Sequence, residues 1–147
     1  MLDESFKFYY KAVKLKDMLR QGAVEWRVKK DRMESIAEHC FGCSILAISL
    51  QSELNFELDL GRVLEIIAIH ELEELFIGDI TPLDNVDKNK LRENALIEIK
   101  KLVEPLKIGK EILDLTNEFN NMSSNEAEFA KAIDKLECVL EFKKYQD

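Results

Sequence analysis

Apolar residues recur at steps of three and four along nearly the whole chain, and no segment shows the sustained alternation of a half-buried strand. The pattern predicts an all-α protein, a compact bundle of about six helices. The first is expected over residues 3–20, ending at Gln21-Gly22. The second runs from Ser35 to Leu54 behind an irregular, charge-rich connection, WRVKKDRME. Ser35-Ile36-Ala37-Glu38 reads as a capping box, in which the serine hydroxyl and the glutamate carboxylate each accept an orphan backbone N–H. The third helix starts at the N-cap Asp59 and runs to Ile77, where Gly78 supplies a left-handed stop and Pro82 forbids resumption. Lys88 to Val103, Ile108 to Phe119 and Glu126 to Tyr145 complete the set, the last after the turn NNMSSNE. No repeat and no long linker interrupts the pattern, so residues 1–147 are expected to form one domain around one core.

One stretch sits badly in this scheme. HELEELFIGDITP, residues 70–82, has helical spacing but carries four ionisable groups in its first five positions. Ile66, Ile67, Ile69 and Leu72 mark the buried side of that helix, and His70 and Glu74 lie one turn apart, with Glu71 beside them. Two other helices each bring a metal-compatible group into apolar surroundings: His39 among Ile36, Phe41, Ile45 and Leu46, and Asp134 on the face of Ala130 and Cys138. Imidazoles and carboxylates are costly to bury unless something positive sits among them, and a divalent cation with nitrogen and oxygen ligands removes that cost. Taken separately, a solvated acidic helix face and a satisfied core histidine account for the same residues.

Composition narrows the chemistry. A formal net charge of −8 disfavours a nucleic acid polymer as partner but permits a small anionic substrate in a pocket with local positive charge. Three cysteines, an odd number, argue against a disulfide framework, and the Cys40-x-x-Cys43 pair reads as small buried residues. No apolar run is long enough to span a membrane and no signal peptide is visible, so a cytoplasmic location without membrane attachment is expected. His-Glu-x-x-Glu lacks the second histidine of the zinc-peptidase helix, and there is no Gly-rich phosphate loop or serine nucleophile elbow.

ESIAEH, HELEELFIGDITP and AIDKLE, in this order and spacing, resemble the HD-domain metal-dependent phosphohydrolases, in the branch containing 5′-deoxynucleotidases. The resemblance extends from about Trp26 to Tyr145. It implies an HD-domain-like helical fold with one divalent cation held by His39, His70, Glu71 and Asp134, manganese, cobalt, magnesium, zinc and iron all being compatible. The family has aspartate where this chain has Glu71, which keeps the charge but sets the carboxylate one methylene further out. The resemblance also implies that Glu74 does acid or base work, that Asp79 touches the sugar and that Trp26 lines the substrate pocket. For Asp79 a cap or turn role after Gly78 stands equally. The arginine often found before the tryptophan is Glu25 here, leaving Arg27, Lys29 or Arg32 either to orient phosphate or to form a solvated basic loop.

The expected activity is therefore hydrolysis of a phosphate ester, most specifically a nucleoside 5′-monophosphate, by an enzyme for which a homodimer is an open assembly. Two other readings fit the residues: a degenerate metal- or nucleotide-binding module, and an all-α interaction protein whose histidines and Asp134 form a polar network without metal.

Overall fold

A computed structural model describes residues 2–25, 31–79, 81 and 83–144. Among the described residues every regular element is a helix. In chain order they are α1 (Leu2–Ala12), a 3₁₀ turn (Val13–Lys16), α2 (Gln21–Glu25), α3 (Ile36–Leu50), a 3₁₀ turn (Gln51–Glu53), α4 (Leu60–Ile69), α5 (Glu74–Ile77), α6 (Lys88–Val103), α7 (Gly109–Asn121) and α8 (Asn125–Lys143). No helix among these residues is long and apolar enough to cross a membrane.

The caps follow the residues expected of them. The Ser35 hydroxyl accepts the Glu38 N–H at 3.2 Å while Glu38 Oε2 accepts the Ser35 N–H at 2.8 Å, so both halves of the capping box are made. Asp59 accepts the Arg62 N–H at 3.0 Å at the start of α4, and Ser124 accepts the Ala127 N–H at 3.0 Å at the start of α8. Gly78 ends α5 with φ at 72°, a conformation that a side chain would strain. Pro82 and Tyr145, expected to mark a helix stop and a helix end, lie outside the described residues.

Two helices depart from the expected bounds. The first does not continue to residue 20: after the 3₁₀ turn the chain extends and pairs with the segment before α3, through an isolated bridge between Leu19 and Ser35. Arg20 N–H donates to the Glu34 carbonyl at 2.9 Å and Ile36 N–H to the Met18 carbonyl at 2.8 Å, so tertiary pairing replaces helical bonding for these groups. The third does not run unbroken from Asp59 to Ile77. It divides at residues 70–73, where Leu72 N–H bonds the Ile69 carbonyl at 3.0 Å and Glu74 N–H the Glu71 carbonyl at 3.0 Å, tighter i to i−3 bonds than an α-helix makes.

α3 packs against α4 and α8, α4 against α7 and α8, and α6 against α7. Two apolar clusters result. One joins Cys43, Ala47, Val63, Ile66, Ile67, Phe119, Ala130 and Ile133; the other joins Leu15, Ile36, Leu72, Ile99, Val103 and Ile112. Along α3, His39 falls between Ile36 of one cluster and Cys43 of the other, and His70 falls between Ile67 and Leu72 in the same way. The polar groups lie at the seam between the clusters.

Because the Ser35 hydroxyl satisfies a donor at the start of the helix that carries His39, Ser35→Ala should cost about 1 kcal/mol. Thermal unfolding followed by circular dichroism should show a midpoint lowered by about 4 °C.

Candidate metal centre and its surroundings

The break in the helix is what brings the ionisable residues inward. His70, Glu71, Leu72 and Glu73 are all buried, four in succession, which a regular helix on a protein surface cannot achieve because four residues exceed a full turn. Leu72 enters the second apolar cluster, and Glu73 Oε1 accepts the Asn120 side-chain N–H of α7 at 2.6 Å. His70 and Glu71 point toward α3 and α8, where His39 and Asp134 meet them.

The four groups converge closely. Glu71 Oε1 lies 3.3 Å from His70 Nε2 and 3.5 Å from His39 Nε2, and Asp134 Oδ1 lies 3.0 Å from His39 Nε2 and 3.7 Å from His70 Nε2. His70 Nδ1–H donates to the Ile67 carbonyl at 2.7 Å, which leaves Nε2 as the nitrogen facing the acids. That Nε2 is buried without a hydrogen-bond partner. An orphaned imidazole nitrogen beside another imidazole and two carboxylates is the donor set a divalent cation takes, so the residues fit such an ion. Cys43 Sγ also lies within 4.8 Å of the His39, His70 and Asp134 ligand atoms, but burial pushes its thiol pKa up, and the neutral thiol packs in the core.

The electrostatics follow from two acids facing two bases at low exposure. Burial opposes charge at every one of them, yet the pairing dominates. At His39, burial is outweighed by Asp134, Cys43 and Glu137, which push the pKa up to about 12; at His70, burial is outweighed chiefly by Glu71 and Asp134. Burial likewise opposes ionisation of Glu71 and Asp134, but the imidazoles bring Glu71 down to about 2 and hold Asp134 well below the usual carboxylate range. Protons on the imidazoles thus take the place of a cation when none is bound.

Glu74 behaves in the opposite sense. Burial first, and then the negative charges of Glu71, Asp79 and Glu73, push its pKa up to about 9, and its Oε2 is buried without a partner. At neutral pH it is a protonated acid beside the cluster. Asp79 Oδ2 accepts the Gln21 N–H at 2.7 Å at the start of α2, a cap on a distant helix and not a local turn after Gly78, while its Oδ1 lies 4.0 Å from Arg20 Nη1.

Two neighbours escaped the sequence reading. Arg20, placed by the pairing of residues 18–20 with 34–36, reaches Glu71 Oε1 at 3.4 Å through Nη1 and Cys138 Sγ at 2.8 Å through Nη2. Burial works against its charge, but Cys138, Glu71 and Asp79 hold the guanidinium protonated. No local sequence signal could have shown this, since the arginine belongs to a segment that looked helical. Glu137 accepts from His39 Nδ1 at 2.5 Å; its signal was present, one turn beyond Asp134 on the same helix face. Arg32 pairs instead with Glu38 at the exposed start of α3, at 2.5 Å. Trp26, Arg27 and Lys29 lie outside the described residues.

The HD-domain family profile matches residues 12–147, and the chain belongs to the HD-domain family. The 5′-deoxynucleotidase HDDC2 of Mus musculus is 31% identical over 136 residues, covering 90% of this chain and 65% of that protein. The Dictyostelium discoideum protein of the same name is 31% identical over 148 residues, covering 95% of this chain and 76% of its own length. The chain spans 65%, 63% and 64% of the mouse, bovine and human relatives it matches. A crystal structure of a predicted metal-dependent phosphohydrolase from Magnetospirillum magnetotacticum superposes with a TM-score of 0.78 at 27% identity, covering 95% of this chain and 69% of that one.

A carboxyl whose folded pKa is about 9, against an ordinary 4.5, opposes folding increasingly as pH rises between those values, because the unfolded chain loses the proton more readily. Glu74→Gln should therefore raise the melting temperature of metal-free protein clearly at about pH 8 and little at about pH 5. Scanning calorimetry at the two pH values checks this; an equal shift at both would contradict a buried, protonated Glu74.

Proposed function

We propose that this chain is a metal-dependent phosphohydrolase that removes phosphate from (deoxy)nucleoside 5′-monophosphates. The observation that carries the reading is the convergence of His39, His70, Glu71 and Asp134 from three separate parts of the fold, with His70 Nε2 left unpartnered among them. Membership of the HD-domain family and likeness to proteins named 5′-deoxynucleotidase support the substrate class.

In this reading His39, His70, Glu71 and Asp134 hold one divalent cation. When bound, such an ion supplies positive charge against the phosphate and lowers the pKa of water from about 15.7 toward 7 in favourable sites. The rest of the work falls to the protein. Arg20, fixed by Cys138 and Glu71, presents a buried guanidinium suited to the oxygens of a phosphate, in a chain whose net charge of −8 would otherwise repel it. Glu74 keeps a proton at neutral pH on a carboxyl whose Oε2 has no competing partner, so it can protonate the leaving sugar oxygen. Asp79, one oxygen already committed to the Gln21 N–H, offers Oδ1 to a sugar hydroxyl. Trp26 lines the pocket in this reading by its match to the family motif, and Arg27 stands in for the arginine that Glu25 replaces.

The test joins metal content to turnover. Protein purified without added metal should contain about one metal per chain, or take one up, and should release phosphate from nucleoside monophosphates only with Mn²⁺, Co²⁺, Mg²⁺, Zn²⁺ or Fe²⁺ present. His70→Ala and Asp134→Ala should lose metal and turnover together, whereas Glu74→Ala should keep the metal and lose turnover by about 10²-fold or more. Full activity in Glu74→Ala would remove it from the chemistry.

Arg20 separates substrate binding from metal binding. Arg20→Ala should keep the metal but raise KM for a nucleoside monophosphate by about tenfold or more, the loss of a charge-assisted phosphate contact. Steady-state kinetics alongside elemental analysis check it, and loss of the metal instead would make Arg20 a structural partner of Glu71.

A further inference from the structure

His39 is fully buried and stands among three carboxylates, two at Nε2 and one at Nδ1. Its Nε2 faces Asp134 Oδ1 at 3.0 Å and Glu71 Oε1 at 3.5 Å, and its Nδ1 faces Glu137 Oε2 at 2.5 Å. A neutral imidazole has one N–H and one lone pair, so which carboxylate receives the proton decides which nitrogen is left to bind an ion. Glu137 has the shorter contact and is itself buried.

We infer that Glu137 is the positioning residue of His39: it takes the Nδ1–H, and so directs the Nε2 lone pair toward Glu71, Asp134 and His70. The inference rests on the reading of His39 as a metal ligand. His70 is oriented in the same sense by different means, its Nδ1–H being held by the Ile67 carbonyl at 2.7 Å. A carboxylate behind the ring makes the imidazole a more basic ligand than a carbonyl does, so the two histidines are not equivalent.

A second feature of the fold points to the same contact. Gly42 lies in the interior of α3, where glycine costs about 1 kcal/mol relative to alanine. A Cβ there would fall on Glu137 Oε1, well inside van der Waals contact, with the rest of the Glu137 carboxyl close behind. The absence of a side chain at 42 is what lets α8 bring Glu137 up to a ring three residues away on α3. Glu34 and Glu141 also approach Glu137, each offering a carboxylate oxygen within 4.8 Å of its own.

Two measurements on purified protein decide the matter. Mn²⁺ titrated calorimetrically into metal-free protein should bind about 10- to 100-fold more weakly to Glu137→Ala than to wild type, with a smaller loss in Glu137→Gln, which keeps an acceptor without its charge. In ¹⁵N NMR of the metal-free proteins, where His39 carries both ring protons, the Nδ1–H should be a protected signal in wild type and should shift and exchange faster in Glu137→Ala, while the Nε2–H facing Asp134 keeps its protection. A folded Glu137→Ala with wild-type Mn²⁺ affinity and an unchanged His39 signal would overturn the inference. Should Glu137→Ala not fold, Glu137→Gln decides instead: affinity within about twofold of wild type would overturn it. If wild-type protein takes up no Mn²⁺ while the Nδ1–H signal depends on Glu137 as expected, the metal reading of the site fails and the positioning by Glu137 stands.

Discussion

Holding two imidazoles and two carboxylates at low exposure, with nitrogen-to-oxygen contacts of 3.0 to 3.7 Å, is the constraint around which the rest of this molecule is arranged. Such groups leave water only at a considerable free-energy cost, which opposite charge must offset. The shifts at His39, His70, Glu71 and Asp134 show how this happens in the chain by itself: the bases are held protonated and the acids ionised, each against the effect of burial. A divalent cation would make the same exchange with fewer protons, which is why such a cluster can serve both as a stable core element and as a place to load an ion.

The backbone gives way where this cluster requires it. A continuous helix from Asp59 to Ile77 would place His70 and Glu71 about 100° apart, so that one of them had to face away from α3 and α8. The tight turn at residues 70–73 buries both, sends Leu72 into the core and leaves Glu73 to Asn120 of α7. It also allows glutamate at position 71. Its carboxylate comes within 3.5 Å of both histidine Nε2 atoms.

Around the cluster the protein distributes its charges unevenly. Glu74, three residues beyond Glu71, keeps its proton because burial and its acidic neighbours outweigh Arg20, whereas Glu71 loses its proton to the histidines. Two glutamates on one short segment thus hold different protonation states at the same pH, a separation set by surroundings rather than residue type. Arg20 adds fixed positive charge beside the acids, held by three partners from distant parts of the chain.

Much of this was legible in the residues alone. The period of the apolar positions determined an all-α fold, and Ser35, Asp59 and Gly78 determined where helices begin and end, because capping depends on side chains within three or four residues of the terminus. The three motifs were enough to name His39, His70, Glu71 and Asp134 as a candidate set. What local sequence could not carry was anything decided by contact across the fold. The strand-like pairing of Leu19 with Ser35, which turns an apparent helix end into the segment carrying Arg20, is a bond between distant backbones. The break at residues 70–73 answers to groups on α3 and α8, not to any glycine or proline nearby. Only the tertiary structure decides these points, since a backbone donor accepts any well-placed carbonyl and the choice between a local and a distant one is made by the packing around both.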